Sequence, residues 1–69
     1  MNKVIEEIEM HLRHATKQHD RIDREIDEEA DKMSDIMLLL KLHVINYYYG
    51  IMNGLRCALQ EIKDNNSQD

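Results

Sequence analysis

The stretch IMLLLKLHVINYYYGIM, residues 36–52, decides how this chain folds, because only Lys41, His43, Asn46 and Gly50 interrupt its apolar and tyrosine side chains. Read as a helix, it is apolar on nearly every side, and such a helix is buried all round or sits in a membrane. The rest of the 69-residue chain has room for one further helix beside it, and one helix covers only one side. Self-association or a dedicated partner is therefore expected. A membrane span over residues 36–59 would include Lys41, His43, Asn46, Asn53 and Arg56, and a lysine near the centre of a span costs about 2.5–3.5 kcal/mol on insertion scales. A buried helix is the better reading, and no membrane association is expected. HVINYYY would also suit a strand by its β-branched and aromatic content, but a lone strand has no mate in this chain.

Outward from that stretch, length and composition narrow the class. A chain of this size makes one domain at most, in the range where a single core is marginal and oligomerisation, metals or disulfides commonly help. Cys57 is the only cysteine, so no disulfide forms within the chain and a reducing compartment is expected. The first twelve residues alternate charge with isoleucine, without the continuous apolar run of a cleavable signal. A cytoplasmic location follows as the expectation.

The net charge of −5 is concentrated in residues 20–35, where eight acids face three bases, while the flanking parts balance. A surface of this sign argues against direct binding of nucleic acid, which needs a basic face to neutralise phosphates.

The chain has no proline and no glycine before Gly50, so nothing forces a break in its first two thirds. Apolar positions run Ile5, Ile8, Leu12, Ala15, then His19, then Ile22 and Ile26, a heptad seam with a histidine in one slot. The pattern then slips by one residue to Ala30 and resumes through Met33, Met37, Leu40, Val44, Tyr47 and Ile51. Such a slip is either a stutter in one long helix or the place where the chain turns back. An unbroken helix of some sixty residues would be about 90 Å long, and only a long coiled coil would bury its seam. A turn within residues 31–35, capped by Asp31 or Ser34, instead gives two arms that pack antiparallel. DKMSD lacks both glycine and proline, and residues 16–20, with Asp20 as cap, are the rival break. The arms are expected at about 2–30 and 34–63, in one domain over 1–63, followed by a disordered polar tail over 64–69.

Along the first arm, Asp20 with Arg24, Arg21 with Glu25 and Glu28 with Lys32 are spaced to pair across one turn, each worth a few tenths of a kcal/mol. In the second arm Gly50, Gly54 and Ala58 fall four apart and line one helical stripe, with Cys57 beside it. Each glycine costs a helix roughly 1 kcal/mol relative to alanine, and small residues at this spacing let a second backbone approach closely. Ile51, Leu55, Ala58 and Ile62 carry the apolar period through both glycines, which favours close approach over a break.

The segment YYYGIMNGLRCALQEIK, residues 47–63, resembles the C-terminal helix of many short, mostly uncharacterised proteins of phages and prophages in Gram-positive bacteria. The similarity spans about a quarter of the chain. It implies a small helical accessory protein of a mobile element and transfers no catalytic residue.

Candidate chemistry is sparse. Glu7, His11 and His14 could offer carboxylate and imidazole ligands to a divalent metal, but the spacing is neither HExxH nor ExxH, and solvated side chains are the plainer reading. His19 and His43 lie at or beside apolar stripes, where protonation would loosen association as pH falls toward 6; a core histidine satisfied by a neighbouring carbonyl is the commoner arrangement. Cys57 reads as a small packing residue rather than a reactive thiol. Tyr47, Tyr48 and Tyr49 point to three sides of a helix, so at least one ring is exposed or in an interface. With Ser34 and Ser67 the only serines and no phosphate-cradling glycine loop, no enzymatic activity and no cofactor are expected.

The fold expected is thus an all-α antiparallel helical hairpin that dimerises into a four-helix bundle or coiled coil through Leu40, Val44, Tyr47, Ile51, Gly50, Gly54 and Ala58. The function expected is that of a small regulator or inhibitor engaging a host protein through an acidic helix face formed by Asp20, Asp23, Asp27, Glu28 and Asp31. Mimicry of a nucleic-acid backbone by this run is a further reading, but isoleucines at regular spacing within it mark an ordinary amphipathic helix. The alternatives are a self-assembling structural subunit and a metal-binding helical protein.

Overall fold

The computed structural model describes residues 2–67 and is an all-α antiparallel hairpin: helix α1 covers Asn2–Glu29, a single 3₁₀ turn covers Ala30–Lys32, and helix α2 covers Asp35–Ser67. Ile5, Ile8, Leu12, Ala15, His19, Ile22 and Ile26 are all buried or half-buried. They are the expected seam of α1, and of the charged residues between them all but the half-buried Glu9 and Glu25 are exposed.

The chain reverses within the expected segment, and it does so without a left-handed residue. After the 3₁₀ turn the Met33 N–H donates to the carbonyl of Ala30 at 3.2 Å, and Met33 itself is extended at φ −88° and ψ 145°. No described residue has a positive φ, so the turn requires no glycine. Ser34 then caps α2: its Oγ accepts the N–H of Met37 at 3.2 Å, three residues on, as an N-cap side chain does. Its carbonyl accepts the N–H of Leu38 at 3.0 Å. Asp35 in the first turn complements the positive end of the helix dipole.

The face of α2 laid against α1 is Leu38, Lys41, Ile45, Tyr48, Met52, Leu55, Leu59 and Ile62, again at alternating steps of three and four. This corrects the phase expected from the sequence. The row Met37, Leu40, Val44, Tyr47 and Ile51 runs one residue ahead of it, about 100° round the helix. The early part of α2 is apolar on so many sides that two heptad rows fit it equally well. The true row contains Lys41, which reads as an interruption until its partner on α1 is seen.

Only Ala15, Ile22, Met52 and Leu59 are buried among the described hydrophobic residues. The hairpin is a rod of 54 × 14 × 13 Å with a radius of gyration of 15.8 Å, against about 11 Å for a compact domain of this length. Its accessible surface is 5512 Å², while a compact monomer of 8.2 kDa exposes about 4500 Å². Helix α2 runs on through Ser67, past Lys63, where a polar tail is expected from the sequence, and Gln60 donates a side-chain hydrogen bond to Asp64 at 2.9 Å. Gln68 and Asp69, the end of that expected tail, lie outside the described residues, as does Met1. No described helix is long and apolar enough to cross a membrane.

Candidate interaction surface

Because α2 carries two heptad rows and α1 covers one, the other faces outward. Leu40 is 56% exposed, Val44 42% and Tyr47 66%, and Ile51 and Ala58 on the same row are half-buried. The row continues through Gly54, with Gly50 at its edge, both exposed. All seven residues expected to form an oligomer interface therefore lie on or beside one side of α2 that flanks its contact with α1, five of them exposed and Ile51 and Ala58 half-buried. Exposed Ile36, Leu39 and Leu42 extend the apolar surface round the start of the helix.

The two glycines are not used by the hairpin itself. A Cβ added at Gly50 or at Gly54 would meet nothing within 4 Å, and neither glycine has a positive φ. Neither a backbone conformation nor a close approach of α1 accounts for them. The three tyrosines divide as their spacing requires: Tyr48 is in the seam, while Tyr47 and Tyr49 are exposed on either side of it. Tyr47 and Tyr48 meet edge to face with centroids 5.5 Å apart, and Tyr49 lies 6.3 Å from the ring of His19.

Beside the exposed row, a shallow depression separates Met37, Leu40 and Val44 from Arg21 and Glu25 of α1. Its polar wall is an ion pair: Lys41 Nζ donates to Glu25 Oε2 at 2.5 Å, and Arg21 Nε stands 3.8 Å from the other carboxylate oxygen. The hydrogen bond from Lys41 holds the Glu25 carboxyl below its usual range, opposed by partial desolvation and assisted by the charges of Lys41 and Arg21. Of the three pairs expected along α1, Arg21 with Glu25 is the one that closes among the described residues.

Asp20, Asp23, Asp27, Glu28 and Asp31 are all exposed, and they cluster toward the turn end of the rod. Asp20 is engaged by its neighbour, its Oδ1 lying 3.2 Å from Nδ1 of His19. His43 is exposed, and so is Cys57, contrary to its reading as a packing residue: its position on α2 faces away from both rows. Among the described residues no group of three or more histidine, cysteine, aspartate or glutamate side chains comes together to hold a metal ion, so Glu7, His11 and His14 are not assembled as a ligand set.

One feature escapes a linear reading. On the flank opposite the exposed row, Arg13 and Lys17 of α1 and Arg56 of α2 line an open groove together with His14, Asp20, Leu12 and Thr16. These bases are far apart in the chain, and only the hairpin brings them together. No protein-family model, no curated protein and no solved structure matches the chain.

Proposed function

We propose that this chain is a non-catalytic, self-associating protein-binding module. The exposed row of α2 is its association surface, and the acidic side chains near the turn are what it offers to a second protein. The observation that carries this reading is the row Leu40, Val44 and Tyr47, largely exposed in heptad register beside a seam that α1 already covers. Apolar rows of this length are rarely left in water on a monomer. Its neighbours on α1, Arg21 and Glu25, supply the polar rim that interfaces commonly have.

Sedimentation equilibrium tests the association. The wild-type chain should be heavier than its 8.2 kDa monomer, and Leu40→Glu with Tyr47→Glu should return it to monomer with its helical circular dichroism intact. A wild-type monomer at hundreds of micromolar rejects the reading. The acidic side chains are tested by capture from host lysate at low and high salt. One salt-labile partner, lost on Asp23→Lys with Asp27→Lys, supports a regulator of a host protein that acts through its acidic face. Capture of nothing leaves a self-assembling structural subunit as the function.

A further inference from the structure

Resting on that reading, we propose that the exposed row of α2 pairs with the same row of a second copy running antiparallel, centred near Tyr49. The amount of surface fits. The surplus of accessible area over a compact monomer is about 1000 Å², and a standard-size interface removes about 800 Å² from each partner. One further copy laid along the rod is therefore enough to account for it.

Direction follows from the distribution of size along the row. Its first half holds Leu40, Val44 and Tyr47, and its second half holds Gly54 and Ala58. A parallel pair would set bulk against bulk at one end and small against small at the other, so that the helices splay at the first and leave a void at the second. Antiparallel pairing about Tyr49 sets Leu40 against Ala58, Val44 against Gly54 and Tyr47 against Ile51. Each large side chain then meets a small or medium one, and the space left open above Gly54 receives a partner side chain. Interhelical distance stays even along the row, as knobs-into-holes packing requires.

Charge points the same way. The half of the hairpin next to the turn, residues 20–48, carries eight acids against four bases, and the open half carries six against five. Parallel pairing would place the two strongly acidic halves side by side. Antiparallel pairing puts each beside a nearly balanced half, and it also sets the α2 dipoles head to tail.

The native thiol provides the test. Cys57 is exposed and is the only cysteine, so a nitroxide can be attached to the unaltered chain and the label-to-label distance read by pulsed electron resonance. At 1.5 Å per residue, antiparallel pairing about Tyr49 separates the two sites by about 24 Å along the axis, giving an expected distance of about 25–30 Å. A parallel pair would bring them within about 15 Å, given helix axes 8–10 Å apart. A dimer with the long distance supports the arrangement. A dimer with the short one overturns the arrangement and leaves self-association standing. A monomer by sedimentation of the same sample overturns both.

Discussion

Lys41 of α2 occupies a seam position, yet its Nζ reaches out of the seam to Oε2 of Glu25 on α1 at 2.5 Å, sixteen residues back across the turn. This contact pins the register of the two helices closest to the point where the chain reverses. A charged residue in an otherwise apolar row also marks one register, since a slip of one turn would part the Lys41 ammonium from Glu25.

The Glu25–Lys41 pair makes stability depend on acid in a defined direction. The Glu25 carboxyl is held below its usual value, first by the hydrogen bond from Lys41, so its contribution is complete above the ordinary value near 4.5. It is lost as pH falls through the lowered value. Glu25→Gln should melt below wild type at pH 7, and the gap should narrow as pH falls below the ordinary value and close once the folded-state carboxyl is protonated. Parallel thermal melts followed by circular dichroism would show this; a gap that stays constant with pH would mean the pair contributes nothing through its charge.

The phase of α2 can be read from paired truncations. Ile22→Ala or Leu59→Ala removes a buried side chain and should cost about 2–5 kcal/mol, enough to unfold much of so small a protein. Leu40→Ala should cost under about 0.5 kcal/mol in dilute solution. Urea titrations at low protein concentration check the contrast. Equal losses at Leu40 and Leu59 would place the wrong row against α1.

Gly54 separates the two roles of α2. Alanine should stabilise the dilute hairpin by up to about 1 kcal/mol through helix propensity, since its Cβ meets nothing in its own chain. Leucine at the same position should also leave the dilute hairpin folded but weaken association at least tenfold by filling the space taken by a partner. Sedimentation of Gly54→Leu beside wild type measures it, and unchanged association would remove Gly54 from the interface.

The melting temperature should rise with protein concentration, because association stabilises whatever folded form it binds. Tyr47→Glu should abolish that dependence without lowering the dilute-limit value. Melts over a hundredfold range of concentration would show a flat line for the variant and a slope for the wild type.

Ser34→Ala should cost about 1 kcal/mol, the usual worth of an N-cap, because the Met37 N–H then loses the hydroxyl it donates to. Asp31→Ala should cost less than half as much, since Asp31 lies in the 3₁₀ turn and not at the cap of α2. Comparable losses at both would contradict the capping geometry.

The hairpin, its turn and the seam of α1 were legible in the residues because each rests on local chemistry: a one-residue slip in a heptad, a serine three residues before a helical amide, isoleucines spaced by three and four. The row facing α1 on α2 was not. From Ile36 to Tyr49 nearly every position is apolar, so periodicity has no polar face to define its phase, and Lys41 looks like an exception until Glu25 is placed beside it. The row Leu40, Val44 and Tyr47 continues the heptad of α1 in the sequence, yet it lies beside the row that packs on α1 and is exposed. The groove lined by Arg13, Lys17 and Arg56 had no linear signal, since it is made by the fold.

No described side chain is fully buried, and the rod is only two helices across. Its interior is therefore a single file of contacts, each layer touching only the layers before and after it. In such a ladder no one layer touches all the others. Lesions at Ile22 and Leu59, far apart along the file, should add without synergy, and opening should begin at the free ends and travel rung by rung toward the turn.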